Sequence, residues 1–327
     1  MNAMKIQEIL WEDGQTVSLY TLKNGTLEAD ILTFGGTVTA IRVPDQKGDL
    51  INVAHRHPNL TDYAHKGGYV GALVGRFGNR IGDSKFTING VEYTVSANEK
   101  GNCLHGGFEG FNKKHWEVIS AEEEKLVLSY VSPDGEEGFP GNLEVTVTYS
   151  LTEKGLLIDY KAVTDKDTVI NLTNHSYFNL NGPEGTTDGL LLTIDADAIT
   201  AVDADLIPHG EFTSVEGNLF DFRKERPFIC DLSAHPVLGK RGCYDENFVL
   251  NGEGFRRVST LYSSNTGIYM ETYTDQPGMQ IYTGNKKGIA LETQNFPNAV
   301  NCPNFPSALL KAGDTYHTQT EYRFTVK

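Results

Sequence analysis

Hydrophobic and polar residues alternate along much of this chain with the two-residue period of a β-strand. The longest case is the segment 143–151, in which leucine, valine and tyrosine occupy every second position. Shorter alternating stretches lie at 126–130, 158–162 and 190–194. Alternation of this kind predicts strands with one buried face. The segment 133–142 holds three glycines and two prolines, so it predicts a long loop between two paired strands.

Helical periodicity is nearly missing from the sequence. The best helix candidates are short, around Leu60 to Ala64 and around Ser233 to Leu238. About twenty short strands with so few helices predict an all-β fold, either a large sandwich or a barrel. No linker, composition shift or fixed repeat divides the chain, so we expect one β domain over residues 1–327.

The charge balance argues against two classes of partner. The chain carries 28 Lys and Arg against 43 Asp and Glu, a formal net charge of −15. This acidic excess, with no basic block, argues against binding to nucleic acid or to an anionic membrane surface. No apolar stretch approaches the ~18 residues of a membrane-spanning helix.

The cysteines and the N-terminus indicate a reducing compartment. The four cysteines form no CxxC pair, which argues against a disulfide framework and a structural zinc site; they are Cys103, Cys230, Cys243 and Cys302. Acidic residues appear by position 8, which does not fit a secretory signal. We therefore expect a soluble, cytoplasmic protein.

The segment 65–80 is rich in glycine but lacks the motifs of nucleotide binding. It has no GK[ST] ending and no GxGxxG that opens a helix, so no nucleotide cofactor is expected. A buried strand with close backbone packing is the simpler interpretation. The segment ends in Asn79-Arg80, where the guanidinium can bind hydroxyls or a carboxylate. An ordinary structural ion pair is the alternative.

Two histidines stand in unusual surroundings. His105 precedes Gly106 and Gly107, small neighbours that let a ligand approach the imidazole, although a loop hydrogen bond is the commoner role. In the segment 171–180, alternation places His175 on a strand face with asparagine, threonine and tyrosine side chains. Such a face suits a sugar-sized polar ligand, which needs several hydrogen bonds and an aromatic flank. A solvated face is the alternative.

Two carboxylates and a histidine pair complete the candidate groups. Glu292 lies inside an apolar strand, where burial would raise its pKa as a general base near neutrality requires, unless the strand is an exposed edge. Asp245 precedes an apolar run and, taken alone, indicates a turn. His55 and His57 could ligate a metal only with a distant third ligand, so no metal site is predicted.

Six motifs occur in order between residues 79 and 301, and together they resemble the aldose 1-epimerase (galactose mutarotase) family. They are Asn79-Arg80, LHGG at 104–107, NHSYFNL at 174–180, Asp245 before its strand, PGMQIYTGN at 277–285 and ALETQNFPNAVN at 290–301. The resemblance covers nearly the whole chain. It implies a large antiparallel β-supersandwich with a broad sugar cleft, and neither a metal nor a nucleotide cofactor.

The resemblance also implies roles for individual residues. Glu292 matches the family's general base, which takes the proton of the anomeric hydroxyl, and His175 matches the general acid that protonates the ring oxygen. His105 matches a second histidine near that oxygen. The positions that match sugar-hydroxyl ligands are Arg80, Asp245 and Gln280, with Asn79 beside them.

The implied reaction interconverts the α and β anomers of aldohexoses such as galactose and glucose. The ring opens, the C1–C2 bond rotates, and the ring closes on the other carbonyl face. This chemistry needs a matched acid–base pair and correct orientation, with Glu292 ionised and His175 protonated at the start.

Other functions remain open from sequence. A hexose-6-phosphate epimerase of the same superfamily would need extra basic residues for the phosphate, and Arg76 is the nearest candidate. A non-catalytic carbohydrate-binding β-sandwich would share the polar cleft but would not need the Glu–His pair. A glycosidase would need two carboxylates across the scissile bond, and Glu292 with Asp245 is the only obvious pair.

Overall fold

The chain folds almost entirely into antiparallel β-strands, in a computed structural model that describes residues 5–11, 13–229, 232 and 241–327. The strands are β1 (Lys5–Leu10), β2 (Thr16–Asn24), β3 (Leu27–Leu32), β4 (Thr37–Pro44), β5 (Leu50–Asn52), β6 (Leu73–Val74), β7 (Arg80–Ile81), β8 (Lys85–Ile88), β9 (Val91–Thr94), β10 (Cys103–Leu104), β11 (Glu117–Glu122), β12 (Lys125–Ser132), β13 (Leu143–Leu151), β14 (Gly155–Thr164), β15 (Thr168–Val169), β16 (Thr173–Asn174), β17 (Tyr177–Phe178), β18 (Leu190–Ile194), β19 (Ala196–Val202), β20 (Pro208–Ser214), β21 (Arg226–Pro227), β22 (Asp245–Leu250), β23 (Arg256–Ser263), β24 (Ile268–Thr274), β25 (Gly278–Tyr282), β26 (Ile289–Gln294), β27 (Leu309–Leu310) and β28 (Thr315–Val326).

Helical structure is limited to short pieces within the described residues. They are α1 (Asp62–His65) and the 3-10 turns Gly82–Ser84, Phe111–Lys113, Glu136–Gly138 and Ala299–Asn301. None of the helices in this part of the chain is long and apolar enough to cross a bilayer. The helix predicted around Leu60 to Ala64 is confirmed as α1, shifted by two residues at its start. The second candidate, Ser233 to Leu238, lies outside the described residues, as does Cys230.

The three largest sheets share one large hydrophobic core. The first follows the order β1-β2-β3-β4-β5, the second β11-β12-β13-β14-β28-β24-β23-β18-β21, and the third β17-β26-β25-β22-β19-β20. Ile31, Val147 and Leu291, one from each sheet, belong to the same buried cluster. The predicted all-β supersandwich is therefore confirmed.

The alternating segment 143–151 coincides with β13, whose residues are alternately buried and more exposed. It pairs with β12, as predicted, across the loop 133–142. The glycine-rich segment 65–80 is mostly irregular rather than a strand; it pairs at 73–74, through a single bridge from Phe77 to Asn171, and at Arg80, where β7 begins. Its glycines do allow close packing, since a Cβ on Gly71 would lie 2.0 Å from a carbonyl oxygen of β4.

The third sheet separates the hydrophobic core from a polar face. Met279, Ile281 and Leu291 point into the core. Side chains alternate between the two faces of a strand. Gln280 of β25 and Glu292 of β26, each adjacent in sequence to these core residues, therefore point to the opposite side. The candidate site lies on this opposite side.

Candidate active site

Three neighbouring strands carry the carboxylate and amide side chains of the site. Gln280 of β25 lies opposite Asn247 of β22 on one side and Glu292 of β26 on the other. Gln280 Nε2 donates a hydrogen bond of 2.6 Å to Oδ1 of Asp245. Glu292 is 1% exposed, and every residue of β26 is buried, so the predicted carboxylate in a buried strand is confirmed.

His175 lies between two short strands rather than inside one long strand. Strand pairing ends with β16 and begins again with β17. The backbone of His175, between them, forms its hydrogen bonds with the glycine-rich segment 65–80. Gly71 N–H donates to its carbonyl oxygen, and its own N–H donates to Ala72 O, both at 2.9 Å. Nε2 of His175 lies 3.4 Å from Oε1 of Glu292. The polar residues of 171–179 are all buried, so the alternative of a solvated face is wrong.

His105 reaches the pair from a tight loop. Its φ is +53°, and Gly106 follows with a φ of +88°. A Cβ on Gly106 would lie 2.0 Å from a neighbouring carbonyl oxygen, so the loop requires glycine there. The backbone N–H of Asn79 donates to Nδ1 of His105 at 3.1 Å. One ligand-type atom each from His105, His175 and Glu292 lies within 4.8 Å of the others.

Arg80 contacts two further carboxylates, those of Glu99 and Asp245. Its side chain is largely buried, and Nε and Nη2 donate to the two oxygens of Glu99 at 2.6 and 3.1 Å. Nη2 also lies 3.5 Å from Oδ2 of Asp245. Asp245 in turn accepts from Gln280, so Glu99, Arg80, Asp245 and Gln280 form one continuous chain of polar groups.

Burial disfavours charge on both members of the Glu292–His175 pair. Burial raises the pKa of Glu292 well above its usual value, the Asp245 carboxylate raises it further, and Arg80 opposes both effects. Burial lowers the pKa of His175 to about 4. In the neutral pair Glu292 is protonated and His175 is uncharged; in the ion pair Glu292 is a carboxylate and His175 an imidazolium. Both forms hold the same number of protons, so the transfer of one proton between the two side chains converts either form into the other. Burial therefore favours the neutral pair, not the charged pair expected from the sequence.

The chain matches one protein family over most of its length. The family profile described as aldose 1-epimerase matches residues 18–323. The chain belongs to the aldose 1-epimerase family. Galactose mutarotase of Bos taurus is 41% identical over 332 residues, which cover 95% of each chain. Aldose 1-epimerase of Escherichia coli (strain K12) is 33% identical over 333 residues, 95% of this chain and 96% of the relative.

Solved structures of the aldose 1-epimerase family share the fold. Galactose 1-epimerase from Lactobacillus acidophilus NCFM superposes with a TM-score of 0.86 and 25% sequence identity. An aldose epimerase homologue from C. elegans gives a TM-score of 0.85 and 26% identity. Both matches cover 99% of each chain.

All seven residues singled out by the resemblance to aldose 1-epimerases meet at this site. Glu292, His175 and His105 converge, and Gln280 connects Glu292 to the Arg80–Asp245 network through the strand register. Asn79 forms hydrogen bonds with two other residues of the site, Arg80 and His105. Its Oδ1 accepts from the Arg80 N–H at 2.8 Å, and its backbone holds His105.

Sequence reasoning missed two residues of the site. Glu99, which binds Arg80, comes from a polar loop and carries no periodic signal. Tyr69 places its ring 4.5 Å from the ring of His105 and 6.0 Å from that of His175, between centroids. Its φ of +50° is rare for an aromatic residue. The glycines around it at 67, 68 and 71 were the available signal.

The remaining sequence candidates do not contribute to the site. Arg76 is buried, and its Nη1 donates to the carbonyls of Pro140 and Gly141 at 2.8 and 2.9 Å. It is therefore bound to the loop 133–142 and does not support a phosphate site. His55 and His57 have ring centroids 6.5 Å apart, and no third potential ligand joins them among the described residues.

Proposed function

We propose that this protein is an aldose 1-epimerase that interconverts the α and β anomers of an aldohexose such as galactose or glucose. The observation that carries the proposal is the buried pair of Glu292 and His175, 3.4 Å apart, beside a network of hydroxyl-binding groups. A base and an acid this close can act together on the two oxygens bonded to C1 of one sugar ring. The names of the relatives, galactose mutarotase and aldose 1-epimerase, support the same reaction.

The proposed mechanism moves two protons and breaks one bond. The reactive form is the ion pair, which the neutral pair reaches when one proton moves from Glu292 to His175. From that form, the carboxylate of Glu292 takes the proton of the anomeric hydroxyl while Nε2–H of the His175 imidazolium protonates the ring oxygen. The C1–O5 bond breaks, which leaves an open-chain aldehyde with O5 as a hydroxyl. After rotation about C1–C2, O5 attacks the other carbonyl face, His175 recovers its proton from O5, and Glu292 returns its proton to O1.

The network around Arg80 would hold the sugar during this cycle. The Oε1 atom of Gln280 and the Oε2 atom of Glu292 are buried without a hydrogen-bond partner in the protein. Unpartnered buried acceptors are costly, so a sugar hydroxyl that donates to them would be bound favourably. We assign Arg80, Asp245 and Gln280 to the sugar hydroxyls and Asn79 to the support of His105 and Arg80.

We also propose that residues 1–327 act as one domain. The nine-stranded sheet places β28, at the end of the chain, between β14 and β24. The core joins residues from all three large sheets, and a shared core is typical of a single folding unit.

Polarimetry of freshly dissolved α-D-galactose tests the proposal. The wild-type protein should speed the change in optical rotation, and Glu292→Gln should not. A protein that binds galactose in calorimetry but leaves the rotation rate unchanged would be the non-catalytic sugar-binding alternative. Parallel runs with glucose and glucose 6-phosphate separate a hexose epimerase from a hexose-6-phosphate epimerase.

A further inference from the structure

The loop 133–142, which joins β12 to β13, contacts the segment 104–109 that carries His105. Glu137, in the middle of this loop, is half-buried, and its two carboxylate oxygens accept hydrogen bonds from two successive backbone N–H groups. Phe108 N–H donates to Oε2 at 2.9 Å, and Glu109 N–H donates to Oε1 at 3.0 Å. Hydrogen bonds to an ionised carboxylate are stronger than those between neutral groups.

The fit between Glu137 and the segment 104–109 depends on the backbone on both sides. Glu137 has a φ of +50°, a left-handed conformation that is uncommon for a residue other than glycine. Opposite it, Gly107 has a φ of +105°, and a Cβ there would lie 2.1 Å from Oε2 of Glu137. A side chain at position 107 would therefore be strained and would also displace the carboxylate.

The loop that carries Glu137 is itself fixed to the rest of the protein. Arg76 is 2% exposed, and its guanidinium donates to Pro133 O at 3.2 Å and to Gly141 O at 2.9 Å, one at each end of the loop. At the centre of the loop, Ser96 N–H donates to Glu137 O at 2.9 Å. Arg76 stays outside the site, but it holds the loop from which the Glu137 carboxylate projects.

The other end of the segment 104–109 is held by Asn98. Asn98 Nδ2 donates to Leu104 O at 2.9 Å, and its Oδ1 accepts from Leu104 N–H at 2.7 Å. His105 lies between these two attachments with a φ of +53°. A left-handed residue of this kind persists only where the surrounding structure fixes it, so the loss of either attachment would let the turn relax and the His105 ring move.

The contact with Glu137 orders a turn rather than the hydrophobic core. Phe108 is 57% exposed, and Glu109 is exposed as well, so neither side chain adds to the core. On the buried side of the same turn, Gly106 packs so closely that a Cβ on it would lie 2.0 Å from Gly75 O. The turn that precedes these contacts is the one from which His105 reaches the site.

We propose that Glu137 is a positioning residue for the sugar reaction: by binding the backbone N–H groups of residues 108 and 109, it holds the His105 ring at the site, beside His175 and Glu292. This proposal rests on the proposed function and adds to it a residue from a loop outside the site. Misplacement of a group at a site by about 1 Å can lower the rate on the order of 10²-fold, so the loss of such a support is measurable.

Glu137→Gln is the most discriminating substitution because it keeps the size of the side chain. An amide has one acceptor oxygen and one donor NH₂ group, so it can accept from one of the two N–H groups but turns a donor towards the other. The matched control is Glu136→Gln, in the same loop. The Glu136 carboxylate binds Tyr130 Oη and Lys114 Nζ instead, at 2.7 Å each.

Hydrogen–deuterium exchange followed by mass spectrometry tests the support that Glu137 gives. Peptides that cover the segment 104–109 should exchange faster in Glu137→Gln than in the wild type or in Glu136→Gln, while peptides from β13 and β26 keep the wild-type rate in all three proteins. The same exchange rate for this segment in all three would overturn the proposal. Exchange does not depend on turnover, so this failure is distinct from a failure of the proposed function, which polarimetry of the wild type would show.

A double-mutant cycle with His105 separates positioning from a general structural role. We expect Glu137→Gln to lower kcat/KM for galactose mutarotation by about 10–100-fold, and Glu136→Gln to leave it within about twofold of the wild type. His105→Asn removes the ring, and Asn tolerates the left-handed backbone at this position. In that background Glu137→Gln should cause no further loss, since no ring remains to be positioned. Losses that multiply in the double variant, an equal loss in Glu136→Gln, or a wild-type kcat/KM in Glu137→Gln would each overturn the proposal.

Discussion

Replacement of Asp245 by asparagine should move the ionisation of Glu292 to lower pH. The carboxylate of Asp245 raises the pKa of Glu292, and Arg80 lowers it. Asn keeps the shape of Asp and can still accept the hydrogen bond of Gln280 Nε2 through its amide oxygen. The substitution therefore removes one negative charge and leaves most of the local geometry in place.

The sheet geometry sets the size of this effect. Asp245 lies two strands from Glu292 and is offset by two residues, because Asn247 is the residue in register with Gln280 and Glu292. Strands about 4.8 Å apart, with a rise of about 3.3 Å per residue, put the two residues roughly 12 Å apart. At an effective dielectric constant of about 20, two charges at that distance interact by about 1.4 kcal/mol, or one pKa unit.

The pH profile of kcat/KM, measured by polarimetry, reports this shift. One limb of the profile should reflect the ionisation of Glu292, and it is identified as the limb that is lost in Glu292→Gln. Asp245→Asn should move that limb down by about one pH unit, because Glu292 then ionises more readily. Arg80→Gln removes a positive charge and should move it up, whereas Arg80→Lys keeps the charge and should leave it near its wild-type position. A limb that stays in place in both charge-removing variants, or moves in the opposite direction, would refute this electrostatic account.

Three further predictions concern the metal, the acid and the sugar ligands. Mutarotation should survive exhaustive dialysis against EDTA, and a loss that a divalent ion restores would show a metal requirement. His175→Asn should lower kcat by roughly 10²–10⁴-fold, and a double variant with Glu292→Gln should be little worse than either single variant because the two residues act as a unit. Arg80→Ala and Gln280→Ala should each weaken galactose binding by roughly 1–3 kcal/mol in calorimetry; unchanged affinity in folded protein would remove that residue from the site.

The fold could be predicted from sequence wherever one strand face is buried and the other is exposed. The segment 143–151 shows the two-residue period clearly, and it forms β13 with the predicted bounds. The segment 65–80 shows where this reasoning stops. Every residue from Val70 to Arg80 is buried, and the backbone has left-handed conformations at Tyr69 and Gly71 that leave no periodic trace.

The site could be predicted only in part, for a related reason. Glu292 could be inferred because a carboxylate between apolar neighbours in a strand stands out. The alternation predicts a long strand through His175, but the strand stops beside it, because contacts with Gly71 and Ala72, distant in sequence, replace the expected pairing. Glu99 had no local signal at all, since its partner Arg80 is 19 residues away along the chain.

The central claim is that Glu292 is the base that opens the sugar ring, and the mutarotation rate of Glu292→Gln tests it most directly. Gln keeps the size of Glu and much of its hydrogen bonding but cannot take a proton. With fresh α-D-galactose in a polarimeter, kcat should fall by roughly 10²–10⁴-fold while galactose affinity changes much less. A folded Glu292→Gln protein with a kcat near that of the wild type would contradict the mechanism and require a different base.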